Sequence, residues 1–280
     1  VRFGAHVSIR GRLSSAIARA VAIGCECLQI FVGNPRSWRA VPYPPEDLAE
    51  FRRERVRSGL DPLVAHAPYL LNLAASGEVY ERSVRALGHA LEVMEALGGI
   101  GVVTHIGSAR DCGFAEAVRR VARAVRRGLA GTDRVLVLLE GSAGRTLGGT
   151  FGELAALLDE LDGDERVGIC LDTAHLYAAG WDLQAPEGVE AMLGAFQEQV
   201  GLGRLRLLHL NDTQAPRGSL RDRHENIGAG RIGLAGFRAL VSHPRLASLC
   251  GIIETPGFGD QGPDRRNLEV LKSLRAEGGG

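Results

Sequence analysis

Eight short, nearly continuous apolar runs recur along this chain, and stretches with apolar residues at helical spacing lie between them. The runs are Arg2–Val7, Cys27–Val32, Leu63–Ala67, Gly101–Ile106, Val135–Glu140, Val167–Asp172, Leu205–Asn211 and Leu249–Thr255. Such runs are the signature of parallel strands covered on both faces. The stretches between them include Leu13–Ile23, Val79–Leu97, Ala115–Leu129, Phe151–Leu161, Val189–Gln199 and Leu234–Leu240, each with arginine or glutamate opposite an apolar face. Eight strand-then-helix units in 280 residues predict an α/β protein of the (β/α)8 TIM-barrel class, with residues 1–280 forming one domain. An open doubly wound sheet is the rival, weakened because no Gly-x-Gly-x-x-Gly loop follows the first run. The glycine tail, Gly278–Gly280, is expected to fray.

Composition removes several classes. With 45% hydrophobic and 24% charged residues, the chain is not generally disordered. No apolar run approaches the ~20 residues of a membrane span, so no membrane association is expected. Val1–Gly11 carries no signal-peptide pattern, which makes a reducing cytoplasm the expected location. The 33 basic and 33 acidic residues argue against a generally basic nucleic-acid coat, while leaving a local patch open. Lys272 is the only lysine. The five cysteines form no Cys-x-x-Cys pair, so they read as reduced, mainly buried thiols rather than zinc ligands.

The informative feature is how the runs end. The third ends in His66, the fourth reaches His105, the fifth Glu140, the sixth Asp172, the seventh His209 and the eighth Glu254. In a barrel these ends converge on one mouth, where barrel enzymes hold their active sites. One such residue alone would most often be a loop contact; six consecutive runs ending in His, Asp or Glu point to a common site. Carboxylates gathered near a barrel axis repel unless cations join them. Imidazole and carboxylate without thiolate suit zinc, and manganese or iron less well. His175 lies one helical turn past Asp172, and Asp222-Arg-His224 has the i, i+2 spacing that sends two side chains from one face of an extended segment. Either pair alone could be structural; beside the other six, both favour metal. His6 ends the first run and could face the mouth or hold a loop. His89 and His243 read as structural or surface residues.

These residues resemble the endonuclease IV family, the zinc-dependent apurinic/apyrimidinic endonucleases of base-excision repair. The resemblance runs from about Gly4 to Thr255. It rests on Gly4-Ala-His-Val-Ser8, Asn34-Pro-Arg-Ser-Trp38, His66-Ala-Pro-Tyr-Leu-Leu-Asn-Leu73, His105-Ile-Gly-Ser108, Gly168-Ile-Cys-Leu-Asp-Thr-Ala-His175, Ala178-Ala-Gly-Trp-Asp182, Leu208-His-Leu-Asn-Asp212 and Asp222-Arg-His224. Asp-Thr-x-His, His-Leu-Asn-Asp and Asp-Arg-His in this order are specific together.

The resemblance implies a (β/α)8 barrel with three Zn2+ at its mouth, manganese being acceptable at one site. His66, His105 and Glu140 would bind the first ion. Glu140 would bridge to the second, which takes Asp172, His209 and Glu254; His175, Asp222 and His224 would hold the third. Glu140 and Glu254 would also orient the attacking hydroxide, making them the implied catalytic pair. The implied partner is double-stranded DNA containing abasic sites, cut on the 5′ side to leave a 3′-hydroxyl. Arg36, Tyr69 and Leu70 match the family's DNA-penetrating residues, and no protein partner is inferred. Two positions depart from the pattern near the fifth run: Gly141 stands where asparagine is expected, and the segment to Phe151 is about two residues short. Ala174 replaces a common cysteine. Two rival readings are another barrel metalloenzyme, such as a sugar isomerase or epimerase, and a DNA-damage-binding protein that does not cut.

Overall fold

The computed structural model describes residues 1–277; the glycine tail at 278–280 lies outside the described residues. In chain order the elements are β1 (Arg2–His6), α1 (Ser15–Ile23), β2 (Cys27–Phe31), α2 (Pro45–Arg57), β3 (Leu63–His66), α3 (Gly77–Leu97), β4 (Gly101–His105), α4 (Phe114–Leu129), β5 (Leu136–Glu140), α5 (Phe151–Glu160), β6 (Val167–Asp172), α6 (Thr173–Ala179), α7 (Pro186–Gln199), β7 (Leu205–His209), β8 (Asp212–Thr213), β9 (His224–Glu225), α8 (Gly233–Val241), β10 (Cys250–Ile253) and α9 (Arg265–Glu277). Eight strands close in the order β1-β10-β7-β6-β5-β4-β3-β2, every pairing parallel, and the helices surround them. This is the expected (β/α)8 barrel, not an open sheet. Among the described residues, no helix is long and apolar enough to cross a membrane.

The predicted runs and stretches match real strands and helices to within a few residues at their ends. The eighth run differs most instructively. β10 stops at Ile253, because the Glu254 backbone N–H donates to Asn211 Oδ1 (2.8 Å) instead of to a neighbouring strand. Three helices escaped the periodicity argument. α2 buries only Phe51, so its apolar face is too thin to register. Of the seven residues of α6, the six from Thr173 to Ala178 are buried, so it shows no polar face. α9 buries Asn267, Leu268, Leu271 and Leu274, while six of its 13 residues are charged. β8 and β9, two residues each, form a small antiparallel hairpin on the loop after β7.

Inside the barrel lies a separate apolar cluster of Cys27, Val64, Val103, Leu138, Cys170, Leu207, Cys250 and Ile252. Three of the five cysteines thus fill the barrel interior, and all five are free, as expected. Gly4 represents β1 near this level because nothing larger fits: a Cβ there would sit 2.1 Å from the Cys27 carbonyl oxygen. Side chains alternate along a strand, so the residues two positions further on stack on the same interior face, one level nearer the mouth.

Candidate metal centre

Two steps beyond the apolar cluster, the interior layer is polar. Val64 is followed by His66, Val103 by His105, Leu138 by Glu140, Cys170 by Asp172, Leu207 by His209 and Ile252 by Glu254. All six implied strand-end ligands therefore stand together at the C-terminal mouth. Applied to β2, the same count leads from Cys27 to Gln29, a fully buried residue outside the His, Asp and Glu set that marks the other strand ends. On β1 it leads from Gly4 to His6, which faces the mouth and does not serve a loop: its Nδ1 lies 2.8 Å from Glu254 Oε1. His89 and His243 lie outside this layer; His243 caps a short 3-10 turn and pairs with Glu190.

Glu140 is the hub. Its Oε2 is 3.2 Å from both His66 Nε2 and His105 Nδ1, and its Oε1 is 3.1 Å from His209 Nδ1. Three sets of potential ligand atoms lie within 4.8 Å of one another: His66, His105 and Glu140; Glu140, Asp172 and His209; Asp172, His175 and His224. Glu254 joins the second set through Oε2, 3.5 Å from His209 Nδ1. Asp222 joins the third, with Oδ2 3.3 Å from His175 Nε2 and Oδ1 3.2 Å from His224 Nε2. All nine sequence candidates thus form one continuous cluster.

The motif spacings have local causes. Asp172 caps α6: its Oδ1 accepts from the backbone N–H groups of Ala174 (2.7 Å) and His175 (3.0 Å), and Oδ2 accepts from Asn211 Nδ2 (2.7 Å). The cap places His175 on the first turn, beside the carboxylate. In His-Leu-Asn-Asp, Asn211 thus holds both Asp172 and the Glu254 backbone. Asp212 accepts from the backbone N–H groups of Gly228, Gly230, Ile232 and Gly233, folding down the loop behind β9. Neither role was legible from the motif itself.

The donor chemistry fits cations. One ring nitrogen of each of four histidines meets a neutral acceptor: His66 Nδ1 the Ala67 carbonyl (2.7 Å), His175 Nδ1 the Gly141 carbonyl (2.9 Å), His209 Nε2 Gln29 Oε1 (3.0 Å) and His224 Nδ1 the Glu254 carbonyl (3.4 Å). Those nitrogens donate, so in the neutral ring the other nitrogen carries a lone pair. Each of these lone pairs is aimed at a carboxylate. Acceptor facing acceptor is tolerable only with a proton or a metal between them. The buried His224 Nε2 has no hydrogen-bond partner among the described residues.

Without a metal, protons take that place. Burial works against the charged form of His175, but Asp172, Asp222 and Glu140 outweigh it and raise its pKa to about 10. Burial opposed by Asp172, Asp222 and Glu254 leaves His224 at about 9. Burial would raise Glu140 and Glu254, yet the surrounding imidazoles hold both well below the usual carboxylate range. His105 goes the other way: the pull of Glu140 is exceeded by burial together with His66 and His175, and its pKa falls.

The departures from the expected pattern do not disturb the cluster. Gly141 contributes its carbonyl to His175, and a Cβ there would meet its nearest neighbour, Leu171, at an ordinary 3.5 Å. The shortened segment is closed by Glu153, which accepts from the N–H groups of Gly148 and Gly149 (2.9 Å each), and by Ser142 Oγ donating to the Thr146 carbonyl (2.9 Å). Tyr69 and Leu70 stand on the loop after β3, 56% and 37% exposed, and the Tyr69 N–H donates to the Pro35 carbonyl (3.0 Å) on the loop carrying Arg36. Arg36 is exposed, and Trp38 packs partly against the core.

A barrel with this mouth defines a metal-binding member of the xylose isomerase-like TIM barrels, whose family model matches residues 17–276. A probable endonuclease 4 of Chloroflexus aurantiacus is 42% identical over 278 residues, 98% of each chain. The crystal structure of endonuclease IV from Thermus thermophilus matches with a TM-score of 0.88 at 38% identity, covering 99% of this chain and 100% of that one. The chain belongs to the endonuclease IV family and is an enzyme of that family. A D-tagatose 3-epimerase-like protein also matches, with a TM-score of 0.73 over 100% of this chain and 98% of its own, but at 21% identity it shares the fold alone.

Proposed function

We propose that this protein is a zinc-dependent DNA repair endonuclease that hydrolyses the phosphodiester 5′ to an abasic site in duplex DNA and leaves a 3′-hydroxyl. The carrying observation is the convergence of nine donors in which four imidazole lone pairs face carboxylates. His66, His105 and Glu140 hold one ion; Glu140, Asp172, His209 and Glu254 a second; His175, Asp222 and His224 a third, with manganese acceptable at one of them. Bound divalent ions supply Lewis acidity, lowering the pKa of water toward ~7 and offsetting phosphoryl charge.

The chain's own groups do the rest. Glu140 and Glu254, both held ionised, orient the attacking water from within the cluster. His105, whose side chain is 38% exposed, marks where the cluster opens to solvent and substrate. Arg36, Arg39, Arg145, Arg221 and Arg223 are exposed on the mouth loops, and among the described residues none pairs with a carboxylate. These guanidinium groups suit a phosphate backbone. A centre recessed in a mouth reaches a phosphodiester only if the target nucleotide leaves the stack, which costs least where the base is missing. Tyr69 and Leu70 supply the apolar wedge that fills the gap, with Arg36 beside them. Lysine plays no part: Lys272 donates to the Gly24 carbonyl (2.6 Å) at the C-terminal end of α1, so a Schiff-base lyase route finds no lysine amine at the mouth.

The epimerase reading has the fold in its favour but leaves the third donor set without work. Incubation with an abasic-site duplex, with and without chelator, separates the possibilities. Chelator-sensitive nicking 5′ to the site is expected; binding without nicking would favour a damage-binding protein, and neither would leave a sugar-converting enzyme.

A further inference from the structure

Three of the four oriented imidazoles are held by backbone carbonyls, which no substitution removes. His209 is the exception, because its acceptor is the side chain of Gln29. Gln29 is fully buried and 180 residues away in sequence. Its carboxamide meets three side chains. Oε1 is 3.0 Å from His209 Nε2, while Nε2 is 2.7 Å from Glu254 Oε1 and 3.0 Å from His6 Nδ1. The amide nitrogen donates to the Glu254 carboxylate oxygen, which turns the amide oxygen toward His209 as an acceptor. That leaves the proton on His209 Nε2 and the lone pair on Nδ1, 3.1 Å from Glu140 and 3.5 Å from Glu254 Oε2. The same Glu254 Oε1 meets His6 Nδ1 at 2.8 Å, so the oxygen turned away from the cluster is doubly anchored and Oε2 is the one left facing inward.

We propose that Gln29 is a positioning residue that fixes the His209 tautomer and the Glu254 rotamer together, and so governs occupancy of the cation position these two residues share. The inference rests on the metal-centre reading. It singles out one of the three donor sets, because Gln29 touches no residue of the His175–Asp222–His224 set and neither His66 nor His105 depends on it for an acceptor. A carboxamide does both jobs at once, since it offers an acceptor and a donor on one rigid plane without adding charge to the carboxylate cluster.

The test compares wild type with Gln29→Met, which keeps the volume but removes every side-chain hydrogen bond of Gln29, and Gln29→Glu, which keeps an acceptor. Zinc titration with elemental analysis reads each ion, and the imidazole N–H resonances of the zinc-loaded protein read the His209 tautomer. Gln29→Met should weaken one ion by about 10- to 100-fold while the others stay bound. The His209 Nε2–H resonance should be lost with it. Gln29→Glu should recover that resonance but keep weakened binding, because its charge opposes Glu254. Wild-type affinity with an unchanged His209 signal in Gln29→Met would overturn the proposal. So would uniform loss of every ion with a lower melting temperature of the metal-free protein, which would make Gln29 a packing residue. Loss of the resonance in Gln29→Glu as well would show that shape and not the acceptor holds the ring. A wild-type protein that takes up no zinc would instead refute the metal-centre reading itself, and this proposal with it.

Discussion

The apolar layer of Cys27, Val64, Val103, Leu138, Cys170, Leu207 and Ile252 and the polar layer of Gln29, His66, His105, Glu140, Asp172, His209 and Glu254 come from the same seven strands, two residues apart. Most of both layers is almost completely buried: Leu138 and His209 are each 0% exposed. Equal burial has opposite consequences. An apolar side chain removed from water contributes stability without needing any particular partner. A buried polar side chain costs stability unless every donor and acceptor finds a match. The lower layer therefore holds the barrel closed, while the upper layer is left with lone pairs and negative charge that a bound cation can satisfy. Strands fixed by the lower layer let the upper one keep its geometry.

Removing the cations should separate the two layers most clearly. Chelation should abolish nicking of an abasic duplex while circular dichroism still reports a folded barrel; full unfolding on chelation would show that the polar layer also carries the fold. Next in size is Glu254→Gln, which keeps the shape but removes a charge from the cluster. Nicking should fall by about two to three orders of magnitude, as for the loss of a major electrostatic contribution, with abasic-DNA binding largely retained. Near-normal cleavage would mean Glu254 is misassigned.

The lower layer should answer in stability instead. Leu138→Ala, directly beneath Glu140, should cost about 2–5 kcal/mol in denaturant unfolding. Once the protein is folded and saturated with zinc, its turnover should stay close to wild type. A turnover loss as large as that of Glu254→Gln would show that the two layers are not separable.

Outside both layers, Tyr69→Ala combined with Leu70→Ala should weaken binding to abasic duplex by about tenfold or more, with undamaged duplex and zinc content little changed. Equal loss on both duplexes would reduce these residues to general contact. The smallest effect belongs to Gly141→Asn. Gly141 is used only through its backbone, the N–H donating to the Cys170 carbonyl (3.0 Å) and the carbonyl accepting from His175, and a Cβ there meets its neighbours at ordinary contact distance, so stability should change by no more than about 1 kcal/mol by thermal unfolding, with unchanged zinc content. A loss of zinc would show that the loop after β5 is tighter than its contacts indicate.

The alternation of eight apolar runs with helical stretches determined the barrel, and the residues ending those runs determined the candidate site, because both signals are local. α2 and α6 were harder to read, since one has almost no apolar face and the other almost no polar one. Gln29 and His6 were within reach of the same two-residue count, yet glutamine is not among the usual zinc ligands and a lone histidine has many uses. What tertiary structure alone decided is the direction of each side chain. Strand period sets which face a residue takes, but whether His209 presents Nδ1 or Nε2 to Glu140 depends on a carboxamide 180 residues away. Asp222 likewise reaches His175 and His224 only because the loop after β7 folds back over the mouth, held by Asp212. Hydrogen bonds of that reach are fixed by closure of the barrel, which no local spacing encodes.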